Sequence, residues 1–335
     1  MRLVGDIGGT RARFALAPVP GHLVRVRTLA VADFPGPEAA IRAYLGGAAM
    51  PAEVVLAVAT PVEEDEIAFT NAPWRFRASA LAAALGMRRL AVVNDFTAHA
   101  LALPALGAED LEPLGGGVPD PRRPRLVLGP GTGLGTAVLV PCGDFDRPLP
   151  TEAGHMSLAP ETARERAILD HLAARRDHVS RERVVSGPGL VTLVEALAAL
   201  EGVAVPAADP PAVVAGARAG DPLCREAVDL FIALLGAYAG DLALAHGARG
   251  GVHLVGGLLA ALGELFDPVL FRRRFEGKGR LSTWLAGVPV HRVRRTDTGL
   301  LGASRYDFAR AEAVAGVVVD AGAGGRDGVD SPSHP

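Results

Sequence analysis

The chain has 335 residues, 34 basic and 37 acidic, with 49% apolar and 21% charged residues and a formal charge of −3. That length holds about two domains with cores of their own, and the balance is that of an ordinary water-soluble globular protein. A lone small module is excluded, and no basic excess suggests a nucleic-acid partner.

Cys142 and Cys224 are the only cysteines, far apart and outside any C-x-x-C pair, so a disulfide framework and a cysteine zinc site lack support and a reducing compartment is expected. Apolar Leu3-Val4 passes straight into Gly5-Asp6, without the longer apolar stretch and small-residue cleavage site of a signal peptide. The turn Gly5-Asp6-Ile7-Gly8-Gly9-Thr10 precedes Arg11 to Leu16, where polar and apolar residues alternate, a β-hairpin pattern. The runs Val54 to Ala59 and Leu90 to Val93 are nearly continuous in apolar residues and suit strands buried on both faces, with Ala78 to Leu85 helical between them. Arg125 to Leu128, the turn Gly129 to Thr136 and Ala137 to Val140 repeat the plan of the first hairpin, which suggests an internal duplication.

Helices then dominate. They are expected over Glu161 to Arg176 with Pro160 near the first turn, over Leu190 to Leu200, and from Pro222 to about Ala245. Gly251 to Val255 reads as a strand ending in Gly256-Gly257 before another helix, and the whole pattern is α/β. The apolar stretches Leu230 to Gly240 and Gly250 to Gly263 are too short or too glycine-rich to cross a bilayer, which takes about 20 apolar residues. No membrane association is expected, and the protein reads as cytoplasmic. Residues 317–335 are rich in Gly, Ala, Asp, Ser and Pro, a composition that predicts a disordered tail.

Glycine turns after buried strands expose backbone N–H groups to an anion, because glycine tolerates positive φ and lets a phosphate come close to the main chain. One such turn could be only a tight hairpin; two imply a polyphosphate held from two sides. A dinucleotide fingerprint leads from strand into helix, whereas both turns here lead into further strand-like runs. Lys278 is the single lysine, and it sits in Glu276-Gly277-Lys278-Gly279 with no Ser or Thr after it, which removes Walker A and protein-kinase sites. What remains is a nucleotide held by the turn at Gly5 to Thr10 and by Gly131, Thr132 and Gly133. Asp6 would hold hydrated Mg²⁺, or bond its own turn backbone.

On the acceptor side, Asn94-Asp95 ends a buried strand, where an α/β sheet opens its ligand crevice. Asp95 can act as general base for a substrate hydroxyl, with the Asn94 amide bonding neighbouring hydroxyls; equally, Asp95 can cap a helix starting near Thr97. Glu152 and His155, three residues apart around Gly154, could pair with sugar hydroxyls, or be a solvated loop charge and a buried histidine. Glu182, between Arg181 and Arg183, reads as a surface charge. Asn71 lies in a polar turn beside Trp74, which could line a polyol pocket or anchor a loop.

Leu3 to Leu16 (LVGDIGGTRARFAL), Val93 to Ala98 (VNDFTA), Leu128 to Val140 (LGPGTGLGTAVLV), Glu152 to Pro160 (EAGHMSLAP) and Ser186 to Leu190 (SGPGL) together resemble the bacterial ATP-dependent glucokinases, in order and spacing, to about residue 310. The resemblance implies an actin-like, ribonuclease H-like ATPase fold of two lobes around a cleft. The small lobe would be 1–105 plus about 297–316, and the large lobe 106–296. It implies MgATP on the paired hairpins, with Gly256-Gly257 at the adenosine. Glucose would be phosphorylated on its 6-hydroxyl with Asp95 as base, held by Asn71, Asn94, Asp95, Glu152, His155 and Glu182. A cytoplasmic homodimer in glycolysis is implied as well. The chain departs from the family pattern at Arg11, where asparagine is usual, and at Ala153, where glycine is usual; it lacks the cysteine-rich zinc motif of the repressor-kinase branch. Three rival readings remain: a kinase for another hexose or amino sugar on the same fold, a non-catalytic sugar-binding regulator, and a plain ATPase. The regulator would need a helix-turn-helix, and none precedes Leu3.

Overall fold

In the computed structural model, which describes residues 1–69 and 73–321, the chain divides into two units, Met1–Ala105 with Asp297–Pro335, and Leu106–Thr296. Asn71 lies outside the described residues, as does the tail from 322 onward.

In the first unit the alternating run after the glycine turn folds back on the N-terminal strand. This gives β1 (Arg2–Ile7) and β2 (Arg11–Ala17), extended by β3 (Val24–Ala30). Next come α1 (Pro37–Leu45), β4 (Glu53–Val58), the short antiparallel pair β5 (Glu66–Ala68) and β6 (Arg75–Arg77), and α2 (Ala78–Leu85). Then β7 (Arg89–Asn94) runs directly into α3 (Asp95–Ala102). Strands β1, β4 and β7 are parallel, and Ile7, Val58 and Asn94 stand in register at their C-terminal edge. Alternation along these strands sends Leu3, Ile7, Leu56, Val58 and Val92 into one core, with Ile41, Tyr44 and Leu81 from the helices, and Val4, Val55, Ala57, Ala91 and Val93 into another. Both faces are covered, hence the continuous apolar runs.

The second unit begins with β8 (Leu111–Gly115), β9 (Arg125–Pro130), β10 (Leu134–Cys142) and β11 (Phe145–Thr151). Helices α4 (Ala163–Ala173), α5 (Gly187–Glu201), α6 (Pro210–Ala219) and α7 (Pro222–His246) follow. β12 (Gly251–Leu254), α8 (Gly257–Leu262), α9 (Pro268–Glu276), α10 (Ser282–Ala286) and β13 (Val290–Val293) complete it. The chain then returns to the first unit as α11 (Thr298–Ser304) and β14 (Val317–Asp320). The sheet orders are β3-β2-β1-β4-β7-β14 and β11-β10-β9-β12-β13-β8. Each has three strands joined by antiparallel hairpins, two added parallel to the first, and an antiparallel edge strand. The two glycine turns thus occupy equivalent places in two sheets of one plan.

Three expectations need correction. Val317–Asp320 is a strand rather than tail, because Val317 and Val319 pack on the core beneath the open edge of β7. α4 starts at Ala163, since Thr162 and Glu165 form a capping box that leaves Pro160 outside the helix. α7 runs 25 residues and is long and apolar enough by length and composition to cross a membrane. Its buried residues, Phe231, Leu235, Tyr238 and Leu242 among them, belong instead to the core of the second unit.

Candidate active site

In the first unit the chemistry gathers where β1, β4 and β7 end. Asp6 faces the side covered by α3 and α11, and its carboxylate is 8% exposed. Arg13, its partner in the hairpin register, places Nη2 2.7 Å from Oδ2, yet that oxygen has no hydrogen bond among the described residues. A Cβ on Gly299, in the first turn of α11, would lie 2.7 Å from the Asp6 carboxyl carbon, so only glycine lets that helix reach the carboxylate. Gly8 N–H donates to Arg11 O at 3.0 Å and closes the turn. His99, one turn along α3 from Asp95, shares a 2.8 Å hydrogen bond with the Thr298 hydroxyl. Loss of water around its ring holds it below the ordinary imidazole value, against the pull of Asp6.

Asn94, not Asp95, caps α3. Its Oδ1 accepts from Phe96 N–H at 2.9 Å and its Nδ2 donates to Thr60 O at 3.2 Å. Asp95 is therefore the first helical residue, half-buried, with Oδ1 also 2.9 Å from Phe96 N. The strand end and the helix N-terminus fix its place together.

In the second unit Gly131 N–H donates to Gly133 O at 2.8 Å, and the turn is surrounded. Glu182 is no free surface charge: its Oε2 accepts from Leu134 N–H at 2.8 Å. Gly187, opening α5, donates its N–H to Gly131 O at 2.8 Å, and Ser186 caps that helix on Gly189 N–H. A Cβ on Gly154 would stand 2.2 Å from Leu134 O, so the Ala153–His155 turn lies directly on the hairpin. Glu152 and His155 come within 3.9 Å at its surface with His155 61% exposed, which rules out a buried histidine. Gly256 lies against Pro130 O, where a Cβ would come to 2.7 Å, while Gly257 faces open space. None of Gly5, Gly8, Gly131 and Gly133 takes a positive φ; at Gly5, and at Gly133 beside the Glu182 carboxylate, glycine serves close packing instead.

Each unit thus assembles part of the expected set. Ile7, Gly8, Gly9, Thr10, Asp6, Asn94 and Asp95 share one edge of the first sheet, while Gly131, Thr132, Gly133, Glu152, His155, Glu182, Gly256 and Gly257 ring the second hairpin. Sequence reasoning missed Arg13, although hairpin register alone places it opposite Asp6. It also missed Thr298 and Gly299, which carry no local signal because they lie almost 300 residues from Asp6 in the chain.

The sequence model of the family described as Glucokinase matches residues 3–309. The glucokinase of Aromatoleum aromaticum is 46% identical over 308 residues, 90% of this chain and 93% of its own. That of Chromohalobacter salexigens is 47% identical over 306 residues, 90% and 95% of the two chains. Among solved structures, a glucokinase from an Antarctic psychrotroph superposes with a TM-score of 0.81 at 35% identity, covering 91% of this chain and 97% of that one. With its two sheets of one plan and a hairpin turn in each, the chain belongs to the glucokinase family and is a sugar-kinase phosphotransferase of the actin-like fold.

Proposed function

We propose that the protein phosphorylates D-glucose with ATP to give glucose 6-phosphate, with Asp95 as general base. The observation that carries the reading is the place of Asp95, the first residue of a helix at the edge where Asp6 and the first hairpin also end. A carboxylate there can accept the proton of the 6-hydroxyl as its oxygen attacks the γ-phosphorus in line and ADP leaves. Asn94, pinned by its two backbone hydrogen bonds, and Glu152, His155 and Glu182 orient the other hydroxyls. The backbone N–H groups of Gly9, Thr132 and Gly133 serve the phosphates, those of Gly8 and Gly131 being taken by their own turns, and Gly256-Gly257 serves the adenosine. Asn71 belongs to the sugar side on the family resemblance alone.

Asp6 would hold magnesium, an ion that takes one or two carboxylates and completes its shell with water and phosphate: the buried Oδ2 of Asp6 has no hydrogen bond among the described residues, and the ion would share that oxygen with the Arg13 guanidinium 2.7 Å away. When bound, that ion neutralises charge on the phosphate oxygens. The protein works as a cytoplasmic homodimer, a reading supported by its family membership.

A coupled assay with MgATP and glucose, mannose, fructose, N-acetylmannosamine or no acceptor tests this. Glucose is expected to give the highest kcat/KM, with no ATP consumed when sugar is omitted. Preferred turnover of the amino sugar, or equal ATP loss without acceptor, would replace the reading by one of its rivals.

A further inference from the structure

We propose that Arg181 is a positioning residue for glucose, seating the peptide from which Glu182 projects; the inference rests on reading Glu182 as a sugar-binding carboxylate. Arg181 and Glu182 are neighbours in a single 3₁₀ turn, Arg181–Arg183, and their side chains go to different places. Glu182 reaches the second hairpin at Leu134 N–H, whereas Arg181 is buried, its side chain 7% exposed. Its Nη2 lies 2.7 Å from Asp241 Oδ2 on α7, and its guanidinium carbon lies 5.1 Å from the centre of the Tyr238 ring. The Tyr238 hydroxyl is 3.1 Å from Thr136 Oγ1 on β10, and burial pushes that phenol up to about 12, so it stays a neutral hydrogen-bonding group. One guanidinium therefore stacks on the ring whose hydroxyl meets the hairpin strand.

The backbone of Arg181 completes the seat. Its N–H donates to Met156 O at 2.9 Å, tying down the segment that carries Glu152 and His155. Its carbonyl accepts from Val184 N–H at 3.1 Å and Val185 N–H at 2.8 Å. Glu182 thus branches from a peptide fixed by the Arg181 side chain, and the segment that carries Glu152 and His155 is tied to the same peptide by a backbone hydrogen bond.

Stability alone does not account for an arginine here. Its Nε is buried with no hydrogen bond among the described residues, a cost that an apolar side chain over Tyr238 would not carry. The apolar side chain would lack the directional ion pair to a rigid helix, and with it the fixed angle of the turn. Asp241 has a second cation, Lys278, whose Nζ lies 2.7 Å from Oδ1, so removing Arg181 leaves no uncompensated carboxylate. The Arg181→Met protein is accordingly expected to fold.

The test compares Arg181→Met, Arg181→Lys, Asp241→Asn and Glu182→Gln by steady-state kinetics and thermal unfolding. Arg181→Met should raise the KM for glucose about tenfold while kcat and the KM for ATP stay within about twofold, since a loosened ligand weakens ground-state sugar binding. Arg181→Lys should recover most of that loss, because it restores the charge beside Asp241. Asp241→Asn, which keeps the arginine but weakens its anchor, should raise the KM for glucose about threefold and decides the matter should Arg181→Met fail to fold. A glucose KM unchanged in Arg181→Met or Asp241→Asn, while Glu182→Gln raises it, overturns the positioning role. A glucose KM unchanged in Glu182→Gln overturns the reading of Glu182, and the role of Arg181 with it.

Discussion

The two glycine hairpins have the same place in the same sheet plan and each closes its turn with its own backbone, but they differ in charge and in what packs on them. The first carries its own charge, Asp6 facing Arg13 across two adjacent strands, and its turn is closed by its own backbone. The second has no charged residue between Pro130 and Leu134 and is held from outside by Glu182, by the N–H of Gly187, and by Gly154 and Gly256 packed on its carbonyls. The difference separates two kinds of contribution. On the proposed mechanism, the charge that would act on the reacting atoms sits around the first hairpin, and the geometry that would bind and order sits around the second. Substitutions near the first should therefore cost turnover, and those near the second should cost affinity or stability.

The largest expected effect is that of Asp95→Asn. It should lower kcat about a thousandfold, within the usual range for loss of a general base, and leave glucose binding by calorimetry within about threefold. Weakened binding with normal turnover would erase the contrast between the hairpins. Asp6→Asn should lower kcat about a hundredfold and raise the Mg²⁺ concentration needed for half-maximal rate, seen by metal titration. An unaltered metal requirement would move the ion away from Asp6.

Around the second hairpin the effect falls on the fold. Gly154→Ala forces a Cβ against the Leu134 carbonyl and should cost about 1–3 kcal/mol in denaturant unfolding. Gly8→Ala, whose Cβ would come no closer than 3.8 Å to Arg11 O, should change stability by less than about 0.5 kcal/mol. Equal losses at the two sites would show the hairpins to be held alike.

Acid should separate the units in the same direction. His253, buried on β12 and stacked 5.6 Å from His291, is pushed down to about 3 by burial, with His291 and Arg125 adding to the shift. Its folded form stays neutral where the unfolded chain takes up a proton, so stability is complete above about pH 6.5 and falls as pH drops toward 3, by at most about 1.4 kcal/mol per unit. The interior of the matching β4–β7 pair is wholly apolar. Trp284 reports on the second unit and buried Trp74 on the first, so single-tryptophan variants should show the second unit, with His253 and His291, weakening more between pH 6.5 and 5 than the first, where His99 acts in the same direction. His253→Val should reduce the acid sensitivity of the second unit, leaving the share of His291 there and of His99 in the first unit, which burial also holds below the ordinary imidazole value. The smallest kinetic effect is expected from Arg11→Asn, the exception to loss of turnover near the first hairpin: an exposed cation beside the turn should aid phosphate binding, and its loss should raise the KM for ATP about threefold.

Much of this was legible in the chain. Hairpin alternation at Arg11 to Leu16, the doubly buried runs at Val54 and Leu90, and the two glycine turns are local patterns, each set by the two-residue period of a strand or the tolerance of a turn. Motif order adds the family, and so the assignment of Asp95. Local patterning fails where the partner is distant. Glu182 between two arginines looks solvated until the fold brings Leu134 N–H to it, 48 residues earlier in the chain. The valines at 317–319 look like tail until β7 offers an unpaired edge.

The amino-acid sequence by itself determined the element types, the paired glycine turns and the chemical kinds of the candidate groups, because these follow from periodicity and side-chain chemistry within a few residues. Only the tertiary structure decided that the first turn of α11 comes against Asp6, that Asn94 rather than Asp95 caps α3, and that Arg181 is buried while Arg183 is exposed. Those outcomes depend on which strands lie side by side and which helix covers which face, and the long loops that bring such groups together leave no trace in local composition.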